Sequence, residues 1–189
     1  MVNYKEELQR ATDLLASKGY IFIGQNMKFG GTSMYHMVKH LPEEQRIELP
    51  VFEETQMGMS IGMTLEGLKV CSTYPRMDFL ILAINQIVNH MDKVKLMSNG
   101  QYNLGGLIVR VAVGSTTPIF SGEQHSGNYY EAIKSMCKDT NVVLLDKAEM
   151  IYEEYEKAIN SDKPTILIEI ADLYNLNILD DIKKSKDKW

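Results

Sequence analysis

Cysteine is scarce in this chain, with Cys71 and Cys137 the only two. Two residues cannot build a disulfide framework, and they do not lie at a metal-ligand spacing, so a reducing compartment is expected and the cytoplasm is the assigned location. Long apolar runs are also missing. Nowhere do about eighteen apolar residues follow one another, as a membrane-spanning helix requires. The amino-terminal "MVNYKEELQRATDLLASKGY" mixes charge throughout and lacks the apolar core of a secretory signal. Positive charge is not in excess: 20 basic residues face 25 acidic ones, a formal net charge of −5. No basic stripe is available to neutralise a run of phosphates, so nucleic acid is not an expected partner, and neither is a membrane. The chain also lacks repeats, low-complexity segments, a dinucleotide-binding glycine turn, a phosphate-cradling loop with its lysine, and a serine set between glycines in a nucleophile elbow.

What is present reads as one folded domain. The length of 189 residues supports a single core, and 44% hydrophobic with 24% charged residues is ordinary for a globular protein. "NYKEELQRATDLLASKGY" spaces Leu8, Ala11, Leu14 and Leu15 as a helix that stops at Gly19. Strand-like runs follow at "YIFIG", "RIELPV", "LKVCST", "GLIVRVAV", "NVVLL" and "KPTILIEI", separated by helical segments. Residues 54–66 read as a helix despite their glycines. "DFLILAINQIVNHMDKVKLM", from Asp78 to about Met97, predicts a central, mostly buried helix with Phe79, Leu82, Ala83, Ile87, Met91 and Val94 along one side. Asp146 and Glu149 have capping-box spacing before the last long helix. Nearly all-apolar strands alternating with helices predict an α/β fold, a three-layer α/β/α sandwich around a mostly parallel sheet. The domain is expected over residues 1–175, with a charged tail over 176–189.

Residue types narrow the chemistry only partly. His36 and His40 are four apart, which can suit a metal, but no acidic or cysteine ligand accompanies them, and surface placement is the expectation. His90 reads as a helix-face residue. His125 lies in the polar loop "GSTTPIFSGEQHSGN" after a buried strand, where open α/β sheets present ligand-binding groups; an exposed loop histidine is the other reading. Glu53 and Glu54 follow the strand-like "ELPV" at a helix entry. There a carboxylate is either a favourable charge on unpaired amides, worth a few tenths to about 1 kcal/mol, or a group aimed at a ligand.

The order and spacing of "FGG", "PVFE" with "GMSIGMTLEGLKV", "MDFLILAINQIVNH", "MSNGQ", "GEQHS" and "DKPTILIE" resemble the pyrimidine-binding domain of thiamine-diphosphate enzymes of the transketolase and 2-oxo acid dehydrogenase group, most of all the beta chain of the pyruvate dehydrogenase first component. The likeness runs from about residue 5 to residue 174. It implies the fold of that domain and thiamine diphosphate as cofactor. By position it makes Glu53 the carboxyl group that shares a proton with the aminopyrimidine ring and so favours the imino tautomer, through which the thiazolium carbon loses its proton. It makes Phe79 the aromatic that packs on the ring, and His125 the loop histidine that faces the reacting substrate.

Departures from the family pattern qualify this. "YPRMDF" brings Pro75 and Arg76 beside the pocket, where Arg76 could pair with a substrate carboxylate or phosphate. Gln25 and Asn26 stand where an acidic pair is common. No GDG motif is found, and the further carboxyl-terminal domain of the beta chains has no counterpart here, so the resemblance implies a partner: a separate diphosphate-binding, alpha-like chain that holds magnesium. An assembly of two copies of each chain, or a homodimer core formed through the 78–91 helix, is expected. The reaction implied is ylid attack on a 2-oxo acid or ketose, followed by decarboxylation or carbon–carbon cleavage and transfer of the aldehyde fragment. Transketolase-like ketol transfer in sugar biosynthesis is the alternative within the enzymes, and a non-catalytic regulatory or interaction subunit the alternative outside them.

Overall fold

A capped amphipathic helix begins the fold. Asn3 Oδ1 accepts the backbone N–H of Lys5 at 2.9 Å and of Glu6 at 3.2 Å, satisfying two donors that a helix start leaves unpaired. Helix α1 then runs Tyr4–Ser17. Its Tyr4, Leu8, Ala11 and Leu15 form one buried stripe, and each of the two leucines stabilises the fold by about 1.5–3 kcal/mol. Gly19 ends the turn at φ +80°, a conformation glycine adopts without strain. The computed structural model of the chain describes residues 2–117 and 120–175; the expected charged tail, 176–189, lies outside the described residues.

Strands and helices then alternate. β1 (Ile21–Gly24) leads through a glycine-bearing loop to α2 (Ser33–Val38), and β2 (Arg46–Glu48) leads into α3 (Glu53–Leu65). β3 (Val70–Tyr74) is followed by α4 (Met77–Leu80) and, after irregular helical turns, α5 (Val94–Met97). β4 (Leu107–Val113), α6 (Tyr130–Met136), β5 (Asn141–Leu145), α7 (Ala148–Asn160) and β6 (Thr165–Ile170) complete the series.

The six strands form one sheet in the order β2-β1-β3-β4-β6-β5, and every pairing is parallel. The register aligns Ile23 with Ser72, Ser72 with Val109, Val109 with Ile166, and Ile166 with Val142. One face of the sheet buries Phe22, Cys71, Ile108 and Leu167 against α1, α2 and α7. The other buries Ile23, Val70, Val109 and Ile168 against α3, the 77–91 segment and α6. The architecture is therefore the three-layer α/β/α sandwich expected from the apolar strands, with all strands parallel. Because they are parallel, all their carboxyl ends share one edge.

Two local expectations are corrected. The 78–97 segment is not one regular helix: α4 gives way to a 3₁₀ turn at Ile81–Ala83 and a π-helical stretch at Gln86–Met91 before α5. Nor is it mostly buried. Leu82 is 61% and Leu96 82% exposed, whereas Leu80, Ala83, Ile87 and Met91 are buried. The buried residues keep a helical spacing of three and four, and of the expected face Leu82, in the 3₁₀ turn ahead of the π stretch, is the one left exposed. The capping box of α7 is also absent, since the residue at the cap position is Lys147, one place after Asp146, and no side chain caps this end. No helix among the described residues is long and apolar enough to cross a membrane.

Candidate active site at the carboxyl edge of the sheet

In this topology the chain passes from β1 out to the edge strand β2 and returns to the other side of β1 to form β3. Open α/β sheets bind ligands where the direction of winding reverses, beyond the strand carboxyl ends. Gln25 follows β1, Glu53 opens α3 after β2, Arg76 follows β3, and His125 lies in the loop after β4. Glu53, Arg76 and His125, expected from sequence, thus come from three successive loops at one edge, and Gln25 joins them from a fourth.

Glu53 is the most enclosed of them, at 3% exposure. Its backbone carbonyl accepts the Tyr74 hydroxyl at 3.2 Å, and its Oε1 accepts Gln25 Nε2 at 2.9 Å. Oε2 takes no hydrogen bond from the described residues. Glu54 points elsewhere: it is exposed and its Oε1 accepts from Asn85 Nδ2 at 3.2 Å. The two adjacent acids therefore divide into a solvated one, which suits the helix start electrostatically, and a desolvated one with half of its hydrogen-bonding capacity unused. Oε2 is not among the buried polar atoms left without a partner, so it reaches the surface of this edge, where a ligand can approach it.

The floor beneath Glu53 is polar and tightly built. One turn on, buried Gln56 donates through Nε2 to Thr73 O at 3.0 Å and Ser72 Oγ at 3.2 Å, and Ser60 Oγ donates to Ser72 Oγ at 2.9 Å. Gly24 lies against this cluster, and a Cβ there would stand 2.3 Å from Thr73 O. The end of β1 is fixed from the other side by Glu48. Its carboxylate accepts the backbone N–H of Asn26 at 2.9 Å, Met27 at 2.6 Å and Lys28 at 2.7 Å. This holds the turn that presents Gln25.

Phe79 and His125 meet. Their rings lie 5.4 Å apart at 84°, an edge-to-face contact of the kind worth about 0.5–1.5 kcal/mol between aromatics. The loop carrying His125 is tied to α4 by Asp78, whose Oδ1 and Oδ2 accept Gly127 N at 3.3 and 3.2 Å. At its start the same loop is held by Asp172, which accepts Thr116 N at 2.6 Å, Thr116 Oγ1 at 2.5 Å and Thr117 N at 3.0 Å. Burial pushes the Asp172 carboxyl up, but these hydrogen bonds outweigh it and hold the group below the ordinary carboxylate range.

Arg76 adds another tie, donating through Nη1 to Gly114 O and through Nη2 to Ser121 Oγ at 3.3 Å. It also lines a polar cleft of about 450 Å³ with Thr32, Ser33, His36, Ser115 and Tyr174. The Thr32 hydroxyl is buried there without a partner. Glu53, Phe79 and His125 are not among the residues that wall this cleft. His40 pairs with Asp13 at 2.8 Å, His36 stacks edge-on to Tyr35, and His90 is exposed on its helix. Among the described residues no three His, Cys, Asp or Glu side chains are grouped to hold a metal ion.

Sequence reasoning marked Gln25 only as a departure from a family pattern and Asp78 only as a helix start. Their partners, Glu53 and Gly127, are distant along the chain, and nothing in the local pattern announces them. The carboxyl edge is also rimmed with exposed apolar side chains: Phe29, Val51, Phe52 and Phe120 are each more than half exposed.

The family model described as transketolase, pyrimidine binding domain, matches residues 2–176. A pyruvate dehydrogenase E1 component subunit beta from Gracilaria tenuistipitata var. liui is 27% identical over 180 residues, covering 90% of this chain and 53% of its own length. Among solved structures, a split gene transketolase described as an inactive beta4 tetramer matches with TM-score 0.65 and 14% identity, over 89% of this chain and 50% of its own. The transketolase of Campylobacter jejuni matches with TM-score 0.64 and 10% identity, over 88% of this chain and 25% of its own. The chain thus spans about half the length of the curated relative it matches.

Proposed function

The chain belongs to the transketolase pyrimidine-binding domain family, and from that premise we propose that it supplies the pyrimidine half of the active site in a heteromeric thiamine-diphosphate enzyme acting on a 2-oxo acid or ketose. One observation carries this reading: Glu53, nearly fully buried at the carboxyl edge, has Oε1 engaged by Gln25 and Oε2 without a hydrogen bond from the described residues. That donor set fits the cofactor, since a protonated ring nitrogen is the partner such an oxygen lacks.

When bound, thiamine diphosphate supplies a thiazolium carbon acidic enough to become a nucleophile toward a carbonyl. The residues of this chain then have distinct tasks. Glu53 shares a proton with the ring nitrogen through Oε2. Phe79 provides an apolar surface for the ring, and its edge-to-face contact fixes the orientation of the His125 imidazole. His125 donates a hydrogen bond to the oxygen derived from the substrate carbonyl. Arg76, already braced by Gly114 and Ser121, presents positive charge to the cleft where a substrate carboxylate or phosphate would lie.

Magnesium and the diphosphate are assigned to a separate, alpha-like chain, a division supported by the similarity to a pyruvate dehydrogenase E1 component subunit beta. The exposed Phe29, Val51, Phe52 and Phe120 around the edge give that chain an apolar surface to cover. Exposed Leu82, Leu96 and Met97 on the 77–97 segment support assembly through that segment as well. A cleft lined by arginine, histidine and hydroxyls also favours a second reading, transketolase-like ketol transfer with an anionic sugar.

Calorimetric titration of thiamine diphosphate with magnesium into this chain, into the diphosphate-binding chain and into their mixture tests the assignment. Tight binding is expected in the mixture, with product mass identifying a 2-oxo acid or a ketose as substrate. Absence of binding in the mixture would instead identify a regulatory or interaction subunit.

A further inference from the structure

We propose that Gln25 is a positioning residue for Glu53, its carboxamide fixing which carboxylate oxygen is left free to share a proton with a bound ring. The inference rests on the cofactor role proposed above for Glu53. The Nε2 atom of an amide only donates, and at 2.9 Å from Glu53 Oε1 it makes that oxygen an acceptor with one lone pair already used. Oε2 is left without a donor from the described residues, and the shared proton is directed to it. With an acid at position 25 the arrangement would differ, since two carboxylates in contact cannot both be ionised and would themselves share the proton. The amide leaves Glu53 as the only carboxyl group of this pair.

The geometry is built to hold the contact. Glu53 is anchored at both ends, by Tyr74 on its backbone carbonyl and by Gln25 on its side chain. Gln25 is itself presented by a turn whose three successive N–H groups are gripped by Glu48. The neighbouring acid, Glu54, is engaged by Asn85 and does not compete. Without the amide, the free rotations of the Glu53 side chain would let its carboxylate leave the productive orientation, which lowers the rate of the chemical step without weakening cofactor binding.

Two measurements test this, one independent of turnover. In the isolated chain, nitrogen-15 NMR of the side-chain amides should show a Gln25 NH₂ pair with one hydrogen shifted to the hydrogen-bonded position, moving to the free-amide position in Glu53→Ala. In the enzyme assembled with its diphosphate-binding chain, Gln25→Leu should lower kcat about ten- to a hundredfold, with substrate KM and thiamine-diphosphate affinity held within about twofold. Gln25→Asn, which keeps the amide but is one methylene too short, should lose the same factor, and both variants should fold with the parent's circular dichroism while melting somewhat lower, since each removes a hydrogen bond to a nearly buried carboxylate. A free-amide signal in the parent, or unchanged kcat in Gln25→Leu while Glu53→Gln is inactive, overturns the positioning role alone. Normal turnover in Glu53→Gln overturns the cofactor role of Glu53, and the proposal with it.

Discussion

Replacing Arg110 with methionine should remove a large part of the stability of this domain. Arg110 is 1% exposed and Glu169 fully buried, and they meet diagonally across the neighbouring strands β4 and β6, where Arg110 is opposite Leu167 and Glu169 lies two positions on. The guanidinium donates through Nε and Nη2 to the two carboxylate oxygens and through Nη1 to Thr12 Oγ1 at 3.1 Å. Tyr155 and Tyr174 also donate to the carboxylate. Burial alone pulls the Arg110 pKa down, but the adjacent Glu169 outweighs it and holds the group well above its ordinary value, so the guanidinium stays charged. Removing one partner of such a pair leaves an uncompensated buried charge, at a cost of about 3–5 kcal/mol. Against the roughly 5–15 kcal/mol that stabilises a domain, this is a fifth or more. The double variant Arg110→Met, Glu169→Leu removes both charges. What remains is two tyrosine hydroxyls without an acceptor, about 1–3 kcal/mol each. Urea denaturation followed by circular dichroism should therefore show the double variant losing less than the two single losses combined, with a coupling of at least about 2 kcal/mol. A single-variant loss below about 1 kcal/mol, or strict additivity, would refute the reasoning.

Three other outcomes are expected. Gly24→Ala should cost at least about 1–3 kcal/mol in the same denaturation assay, because its Cβ would stand 2.3 Å from Thr73 O, a backbone atom that cannot yield; an unchanged midpoint would contradict the packing described. Asp92 is raised by burial but brought below the ordinary carboxylate range by the backbone N–H groups of Lys138, Asp139 and Thr140. A depressed folded pKa contributes stability that is fully present above the unfolded pKa of about 4 and lost as pH falls through the folded value. The stability difference between the parent and Asp92→Asn, about 1–3 kcal/mol at pH 7, should accordingly shrink between pH 5 and pH 2, and a constant difference would argue against it. Asp78→Ala should speed amide exchange at Gly127, whose N–H it accepts, and lower turnover in the assembled enzyme by loosening the loop that carries His125.

The six strands were legible because parallel strands buried on both faces have to be apolar throughout, and "GLIVRVAV" and "KPTILIEI" say this without help from other residues. Glu53, Phe79, Arg76 and His125 were legible as candidates because loops after strands carry ligand groups in this fold class and because the surrounding motifs resemble a known family. Phe79 and His125 proved to be in contact, a pairing that spacing along the chain does not reveal. Arg76 proved to be a brace for the loop after β4 as well as a wall of the cleft. The 78–97 segment misled because apolar residues lie almost all round it. A window of that kind fits several helical phases, so the period alone does not separate buried Leu80 from exposed Leu82. Gln25, Glu48 and Asp78 were not legible as site residues. Each acts through a hydrogen bond to a group twenty or more residues away, and such bonds exist only once β1, β2 and α4 are in place.

The most direct measurement is a crystal structure of this chain assembled with its diphosphate-binding partner, thiamine diphosphate and magnesium. It should show Glu53 Oε2 at a hydrogen-bonding distance of about 2.6–3.2 Å from the aminopyrimidine ring nitrogen, with Gln25 still on Oε1. A ring bound with that carboxylate turned away, or an assembly holding no cofactor at this edge, would contradict the account.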